Sequence, residues 1–403
     1  MYQMCKAVEF IELDSERYLA DFESGALIKM SDKREKILGE NIQGKYYEKG
    51  DFSEDPLLFA ELEDGGYFQE VIQPLSTAYV HVTNICNLNC IGCYSYDRTR
   101  NCTDKLTLEN YSYILSELAK NGVETVTISG GEPLIRKDII EICRYAKDKA
   151  KISVLNLITN GTLYNEEQIK HLKKYVDALA VSIDGYSTEN SQFLRDAGSF
   201  QKAVEFVRRV KELGLPVSIL PTLHKKNIKA IGEYMKLSRE LQVPISFSLL
   251  TCSGELKDFI PTDQDLSFLA EYLCEYMKNG VVPLQDYSEL EARKSCGAGS
   301  SIISVTSEGD IYPCHMMHDT NTVMGNILER PLKEILYNAK PLPNVEDIEK
   351  CQNCEMKYLC GGGCKARALL INGSWEKPDP YCSLNMDFYK RFLKEKRNSE
   401  KRK

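Results

Sequence analysis

The 403-residue sequence lacks any apolar run long enough to cross a membrane. Its first residues also lack the basic segment and apolar stretch of a secretory signal, so we expect a cytoplasmic protein with no membrane partner. It contains no internal repeat or low-complexity tract, which argues against a repeat architecture. At this length, with 43% hydrophobic residues, we expect one main domain with appendages.

Basic residues are scarce outside the last fourteen positions. Residues Lys390–Lys403 carry eight Lys or Arg against two Glu, so this stretch is +6 while the whole chain is -8, and the remainder is near -14. An acidic body does not favour nucleic acid as a partner. We interpret residues 386–403 as a basic tail that is solvated and frayed.

Fifteen cysteines are present in a chain without an export signal. The cytosol keeps thiols reduced, so metal ligation explains them better than disulfides do. Ten fall in two groups, one at 86–93 and one between 296 and 382. Of the other five, Cys143 and Cys274 lie in helical patterns and are expected in the core. Cys5 has no assigned role, and Cys102 and Cys252 fall on the predicted active face.

Residues 76–250 alternate short β-branched runs with amphipathic helical patterns. Six strands are predicted: Thr77–Val82, Thr125–Ser129, Ile152–Thr159, Ala178–Ile183, Val217–Thr222 and Ile245–Leu250. Six βα units in series predict an α/β fold, a partial (β/α)6 TIM-like barrel with a parallel sheet. The unusual residue clusters follow predicted strands, where such folds place their chemistry.

Three further segments flank the barrel. Residues 1–75 are predicted to form a small α+β module, with strands and a helix start at Phe10–Leu13, Tyr18–Phe22, Ala26–Met30 and Asp32–Leu38. Residues 251–294 are interpreted as a helical bridge. Residues 295–385 are rich in cysteine and glycine, with so little aliphatic periodicity that we expect something other than a hydrophobic core to hold them.

The first cysteine group places Cys86, Cys90 and Cys93 in one loop after the first strand. Three thiolates on a four-iron cluster leave one iron open for a small molecule, although a half zinc site or incidental cysteines remain alternatives. The Cys-x3-Cys-x2-Cys loop resembles the signature of the radical S-adenosylmethionine (SAM) superfamily. The resemblance implies a catalytic 4Fe-4S cluster that cleaves SAM reductively to a 5'-deoxyadenosyl radical, which takes a hydrogen atom from the substrate.

Further positions resemble the SAM contacts of that family. Gly130 and Gly131 would let the backbone approach the methionine amine, and Glu132 would accept from it. The other contacts implied by the resemblance are Thr159, Asn160, Ser182, Asp184 and Arg195. One departure is Gly92, where the family usually has an aromatic residue near adenine, and Tyr94 is the nearest replacement.

The second cysteine group reads Cys-x12-Gly-x4-Cys, a gap, Cys-x2-Cys-x5-Cys-x3-Cys, a gap, then Cys. This pattern resembles the SPASM extension, which implies two auxiliary 4Fe-4S clusters and three clusters in all. The resemblance assigns Cys351, Cys354, Cys360 and Cys382 to a distal cluster and Cys296, Cys314 and Cys364 to a proximal one. A fourth proximal ligand would stand at Leu290, so the iron there is open or is closed by Glu289, Glu291 or His315. A tetrahedral zinc site is the alternative for four of these cysteines.

Enzymes that carry a similar barrel together with a SPASM extension mostly modify peptides or proteins. His315 stands where sulfatase-maturing relatives have an acidic residue, which argues against that branch. The first 75 residues weakly resemble a module that captures a leader peptide as an added strand, and a β-rich cap is the alternative. We therefore expect a maturase of ribosomally made peptides (RiPPs).

The expected reaction is hydrogen abstraction from a precursor peptide followed by closure of a thioether, carbon–carbon or carbon–oxygen cross-link. The auxiliary clusters would take the remaining electron, and a reductant such as flavodoxin or ferredoxin would supply the first. Alternatives are peptide epimerisation, oxidation of a small molecule or cofactor precursor, and a non-catalytic iron–sulfur electron carrier.

Overall fold

A computed structural model describes the chain except residues 1, 6–7, 14–15, 22–24, 40–41, 44, 48, 71–74, 96–100, 191–193, 252–253, 278–292, 319–320 and 401–403. The chain divides into two compact units, 1–73 and 74–403. Within the described ranges, no helix is both long and apolar enough to cross a membrane.

The N-terminal unit contains two small antiparallel sheets and two helices. Its elements are strands β1 Tyr2–Met4, β2 Val8–Leu13, β3 Glu16–Asp21, β4 Leu27–Lys29, β5 Tyr46–Tyr47 and β6 Phe68–Glu70, with helices α1 Asp32–Leu38 and α2 Pro56–Asp64. The sheet orders are β2-β3-β4 and β5-β1-β6. Helix α1 begins where the Ser31 side chain accepts from Arg34 N, and helix α2 begins where Asp55 accepts from Leu58 N.

The predicted three-stranded sheet and the helix at Asp32–Leu38 are present, with strand ends shifted by a few residues. The second sheet was missed because strands of two or three residues carry almost no periodic signal. Aromatic rings hold this unit together, and Phe52, Phe59 and Phe68 pack against one another with ring centroids 5.3–5.8 Å apart.

The second unit is built on a parallel sheet whose strands alternate with helices. Its strands are β7 Thr77–His81, β8 Thr125–Ser129, β9 Val154–Thr159, β10 Ala178–Val181, β11 Val217–Ile219, β12 Thr222–Leu223 and β13 Ser248–Leu249. The helices are α3 Leu108–Lys120, α4 Ile139–Asp148, α5 Glu166–Leu172, α6 Ser199–Glu212 and α7 Ile231–Leu241. The order β11-β10-β9-β8-β7 confirms the expected barrel.

The predicted fifth strand is divided. Its first half, β11, pairs with β10, and its second half, β12, pairs with β13 in a separate two-stranded parallel sheet. Pro221 stands between the halves and has no backbone N–H to donate to a ladder. The predicted sixth strand is accordingly short, with Ile245 making one isolated bridge to Ile219.

Strand β14, Ile302–Val305, was not predicted. It pairs in parallel with β7, from Ile302 opposite Thr77 to Val305 opposite Val80. Strands β15 Asp310–Tyr312 and β16 Gly325–Asn326 extend the same sheet in antiparallel fashion. The cysteine-rich segment therefore joins the sheet beside β7, the strand that leads into the Cys86 loop.

The expectation that residues 295–385 lack a hydrophobic core is wrong. Residues from this segment join the main core of the barrel, among them Ile303, Val305, Ile311, Ile327 and Ile335. Their apolar spacing is too irregular for one helix or strand, because they come from short elements packed on a sheet that already exists. The remaining helices are α8 Asp263–Met277, α9 Leu332–Asn338, α10 Glu349–Gln352, α11 Lys357–Cys360, α12 Lys365–Asn372 and α13 Cys382–Glu400.

The expectation of a frayed C-terminal tail is also wrong, since α13 is helical from Cys382 to Glu400. Leu384, Phe388 and Tyr389 on its first turns are buried in the core. These side chains pack against α8, and this packing stabilises the start of α13. The basic residues that follow then continue the same helix.

Candidate functional site

The loop of the first three cysteines follows β7, and three neighbouring segments converge on it. A polar side chain lies within hydrogen-bonding distance of each thiol sulfur: Asn160 Nδ2 and Cys86 at 3.9 Å, Arg195 Nη1 and Cys90 at 3.8 Å, and Ser95 Oγ and Cys93 at 3.3 Å. Asn160 follows β9, and Arg195 lies beyond β10. The N–H donors of Asn160 and Arg195 stabilise the thiolate form of Cys86 and Cys90, which iron ligation requires.

The electrostatics of these thiols depend on burial and on one cation. Burial raises the pKa of Cys90 to about 11, and the charge of Arg195 opposes that rise. Burial alone would lower the pKa of Arg195, but the negative charges of Asp184 and Cys90 raise that pKa by more than burial lowers it, so the guanidinium stays charged. Without iron, Cys90 is therefore a protonated thiol beside a permanent positive charge.

The Gly-Gly-Glu turn after β8 packs directly against the start of the cysteine loop. Gly131 N donates to Thr83 O at 2.7 Å, and Glu132 N donates to Ile85 O at 2.8 Å. A Cβ on Gly131 would lie 2.2 Å from Ile85 O, and one on Gly130 would lie 2.4 Å from Thr83 O. The predicted approach of these glycines to the methionine amine stays a prediction, and the structure shows that they also make room for the backbone that carries Cys86.

Gly131→Ala should therefore displace the cysteine loop. Overpacking of this kind destabilises a fold by about 1–3 kcal/mol, and a displacement of about 1 Å at a reacting centre costs on the order of 100-fold in rate. Formation of 5'-deoxyadenosine from SAM is the measurement. The control is Gly232→Ala, where the nearest atom to a Cβ is Tyr272 Oη at 3.8 Å. Equal rates in both variants would contradict this account.

Glu132 is fully buried and joins the ends of two strands. Its carboxylate accepts from Thr159 Oγ1 at 2.8 Å, from Asn160 N at 2.7 Å and from Leu134 N at 3.0 Å. Burial raises the pKa of Glu132, whereas these hydrogen bonds lower it. The predicted contact of Glu132 with the methionine amine stays a prediction, and the structure adds that Glu132 fixes the loop after β9.

Asp184 and Arg195 form a buried ion pair at the end of β10, with Arg195 Nε 2.5 Å from Asp184 Oδ2. The other oxygen of Asp184 accepts from Thr222 N at 2.7 Å, which ties the pair to β12. Ser182 follows β10 directly, and its N–H donates to Thr159 O at 2.9 Å. The predicted SAM contacts that follow β8, β9 and β10 thus lie next to one another as one connected set.

Tyr94 is the predicted replacement for the aromatic residue missing at Gly92. Its hydroxyl lies 2.8 Å from Ser129 Oγ, and its ring packs edge-on against His315 and His81 at 5.4 and 5.8 Å. Adenine stacking by Tyr94 stays a prediction. At Gly92 itself, a Cβ would lie 2.1 Å from Leu256 Cδ1, so a leucine occupies the space beside this position.

The inner face of the sheet is polar. In β7, Ala78 and Val80 join the apolar core, while Tyr79 and His81 alternate with them and face the other way. Register places Thr127 and Ser304 beside Tyr79 and places Ser129 beside His81. Hydroxyl and imidazole groups therefore line this face, whereas the opposite face of β7 packs in the apolar core.

Three of the five histidines of the chain meet at this inner face. His315 stacks on Tyr79 with centroids 4.0 Å apart, and His81 packs against His318 at 4.5 Å. Burial lowers the pKa of His315 to about 3 and that of His81 well below its usual range, so both rings are neutral. His315 directly follows Cys314 and contacts Tyr94, which directly follows Cys93.

A cavity of about 340 Å³ opens beside the Asp184 carboxylate. Its lining is polar and carries both charges, and consists of Asp184, Tyr186, Glu189, Asn190, His224, Lys226 and Asn227. Its volume lies at the small end of the range for ligand pockets. This cavity could receive part of a polar substrate next to the predicted SAM contacts.

The seven C-terminal cysteines separate into two sets by mutual electrostatic influence. Cys296 and Cys364 raise the pKa of Cys314, which burial already raises, to about 12. Around the second set, burial raises the pKa of Cys351, Cys360 and Cys382, and neighbouring cysteines of that set raise each of them further. This grouping is the one that the resemblance implied, and cluster ligation by these cysteines stays a prediction.

Two buried groups hold the loops between these sets. Asp379 accepts from Cys364 N at 2.7 Å and binds the Arg367 guanidinium in a fork, with distances of 3.0 and 2.6 Å. Gly363 has φ +71°, and a Cβ there would lie 2.5 Å from Asp379 Cβ. Asn385 Nδ2 lies 3.3 Å from Cys360 Sγ. Among the described residues, no three Cys, His, Asp or Glu side chains converge as closely as a single metal ion requires.

Some predicted positions lie outside the described residues, namely Glu289, Leu290, Glu291 and Cys252. Cys102 is exposed, whereas Cys143 and Cys274 are buried as expected.

Sequence reasoning missed Thr83, Asp104 and Arg136, which anchor the start of the cysteine loop. Asp104 accepts from Thr83 Oγ1 at 2.8 Å, and Arg136 donates to Val82 O at 2.8 Å. No local pattern connects them. Strand alternation was the one available signal for Tyr79 and His81.

Comparison with known proteins agrees with this site. The radical SAM superfamily model matches residues 80–238, and the SPASM model, an iron–sulfur cluster-binding domain, matches residues 296–355. An AdoMet-dependent heme synthase of Methanosarcina barkeri is 29% identical over 74% of this chain and 93% of its own. A PqqA peptide cyclase of Bradyrhizobium diazoefficiens is 27% identical over 76% of this chain and 85% of its own.

Two solved structures share the fold. One is anSMEcpe with bound AdoMet, with a TM-score of 0.66 and 19% identity over 80% of this chain and 98% of that one. The other is Streptococcus suis SuiB bound to S-adenosylmethionine, with a TM-score of 0.61 and 20% identity over 94% of this chain and 99% of that one. The family matches indicate SAM and iron–sulfur clusters as cofactors. The chain is an enzyme that belongs to the radical SAM superfamily and carries its SPASM extension.

Proposed function

We propose that this enzyme matures a ribosomally made precursor peptide by installing an oxidative cross-link. The observation that carries the proposal is the N-terminal unit, 1–73. The likeness to SuiB extends over 94% of this chain and therefore includes most of that unit, and one SuiB structure is described as bound to precursor peptide SuiA. The heme synthase relative differs in this respect, because 93% of its length matches this chain while the match uses only 74% of this chain.

A leader peptide would bind the N-terminal unit by adding a strand. Strand β2, Val8–Leu13, lies at the edge of its sheet and is the longest edge strand there, pairing only with β3 among the described residues. An extended peptide gains main-chain hydrogen bonds from such an edge, and alternate side chains give specificity. A β-rich cap without a peptide role is the competing interpretation.

The residues of the barrel bind and orient the reactants. Cys86, Cys90 and Cys93 would hold the SAM-cleaving cluster, and two cysteine sets would hold proximal and distal auxiliary clusters. When bound, these groups supply a 5'-deoxyadenosyl radical that removes one substrate hydrogen atom, and an acceptor for the electron released when the cross-link closes. The neutral imidazoles of His315 and His81 lie on the inner face of the sheet. An external donor such as flavodoxin or ferredoxin supplies the first electron.

The test is mass spectrometry of a precursor peptide encoded beside the gene, incubated with the reconstituted enzyme, SAM and dithionite. The peptide should lose two hydrogen atoms for each cross-link, in step with 5'-deoxyadenosine formation. The matched control is the peptide without its leader, which should react far more slowly. Steady deoxyadenosine release with an unchanged peptide mass would contradict cross-linking, and deuterium uptake from D2O would then indicate epimerisation.

Oxidation of a cofactor precursor is the second candidate, favoured by the heme synthase and by an Fe-coproporphyrin III synthase of the same archaeon that is 27% identical over 76% of this chain. The polar inner face suits a carboxylate-bearing small molecule as well as a peptide. Deoxyadenosine formation dependent on an iron porphyrin, with no dependence on any peptide, would establish it.

A further inference from the structure

Lys365 is a buried basic residue whose ammonium has no hydrogen-bond partner in the part of the chain that the structure describes. It follows Cys364 and begins helix α12, and its side chain is 1% exposed. Its Nζ is fully buried and makes no hydrogen bond to any described residue. An isolated ammonium in a low-dielectric interior is strongly unfavourable, so such a group is retained where an anion meets it.

Carboxylates do not fill that need. Asp379, close to the same turn, is already paired with Arg367. Burial lowers the pKa of Lys365, and the groups that raise it are Cys296, Cys351, Asp347 and Cys360, in that order. Three of these four are cysteines, so the negative charge that Lys365 meets is mainly that of sulfur.

The three cysteines belong to different sets. Cys296 is in the proximal set, whereas Cys351 and Cys360 are in the distal set. The ammonium lies against the turn that joins the two sets, because Gly362 stands between Cys360 of the distal set and Cys364 of the proximal set. The glycine turn before it keeps this space open, since a Cβ on Gly362 would stand 3.3 Å from Lys365 Nζ.

We propose that Lys365 is a positioning residue whose buried positive charge raises the reduction potentials of the auxiliary clusters. A positive charge stabilises the more negative, reduced state of a cluster, and its effect is strong in a dry interior. The auxiliary clusters would then accept the electron from substrate more readily. This role rests on the auxiliary clusters of the proposed function.

The test replaces Lys365 with methionine, which is unbranched and one atom shorter and carries no charge. It uses the full chain with Cys86, Cys90 and Cys93 all changed to alanine, so that only auxiliary clusters contribute spectroscopic signals. Midpoint potentials come from redox titration followed by electron paramagnetic resonance, with iron and sulfide counted in each sample. We expect Lys365→Met to weaken one-electron acceptance at least about tenfold, a shift of about 59 mV to lower potential. Lys365→Arg should stay within that interval.

Lys350→Met is the matched control, because Lys350 is exposed and also acts on the distal cysteines Cys351 and Cys382. Solvent screens it, so its loss should leave the potentials unchanged. Unchanged potentials in Lys365→Met with full cluster content would overturn the role of Lys365, as would an equal shift in Lys350→Met. If Lys365→Met assembles no clusters, Lys365→Gln supplies the neutral comparison, and parent-like potentials there overturn the proposal.

The parent protein separates this proposal from the one beneath it. Absence of every auxiliary signal in the parent would overturn the auxiliary clusters, and the role of Lys365 with them. Normal auxiliary signals with potentials insensitive to Lys365 would overturn the lysine's role alone.

Discussion

Cys90→Ala should abolish the formation of 5'-deoxyadenosine from SAM. The substitution removes one of three thiolates from the loop after β7 and leaves Arg195, whose Nη1 lies 3.8 Å from Cys90 Sγ, without its sulfur partner. A cluster held by two thiolates beside a buried cation would not assemble. The measurements are chromatographic detection of deoxyadenosine and iron content, which should fall by one cluster.

Cys143→Ala is the control for Cys90→Ala. Cys143 is also a buried cysteine, but it lies on helix α4 and packs in the apolar core. Its truncation should cost about 1 kcal/mol of stability and leave deoxyadenosine formation intact. Product formed by Cys90→Ala with full iron content would contradict the assignment of the loop.

Asp184→Ala should be strongly destabilising and should prevent SAM turnover. It leaves the charged guanidinium of Arg195 buried without its carboxylate, and it removes the acceptor for Thr222 N, so the connection from the end of β10 to β12 is lost as well. Breaking a buried ion pair by removing one partner costs about 3–5 kcal/mol. The measurements are the denaturant midpoint of unfolding and the affinity for SAM.

Glu205→Ala tests whether burial is the cause. Glu205 pairs with Arg209 at 2.7 Å, a distance like that of the Asp184 pair, but both side chains are about half exposed on helix α6. Exposed pairs of this spacing contribute about 0.3–0.5 kcal/mol. Similar losses of stability in the two variants would show that the Asp184 pair is not the anchor described here.

Much of the site could be predicted because its chemistry depends on residue types at short spacings along the sequence. Three cysteines within eight residues, a Gly-Gly-Glu turn and seven later cysteines suffice to name the cofactors, and βα alternation suffices to place them after strands. The physical reason is that both patterns are set by neighbouring residues, through strand periodicity and the reach of one loop.

The parts that could not be predicted depend on contacts distant in sequence. Nothing near Gly131 reveals that its hydrogen faces Ile85 O, and nothing near Lys365 reveals that it meets cysteines of two sets. Strand β14 is four residues long and acquires its conformation by pairing with β7, more than two hundred residues earlier. Such elements are decided by the fold that surrounds them.

The pairing of Ile302–Val305 with β7 also means that the barrel is not a portable module. A version ending before residue 300 would expose the N–H and C=O groups along one side of β7, as an open edge directly before the Cys86 loop. Exposed edges of this kind pair with other chains and lead to aggregation. Chimeras that exchange SPASM extensions among relatives should therefore be joined outside 295–312, so that each barrel keeps the strand that borders it.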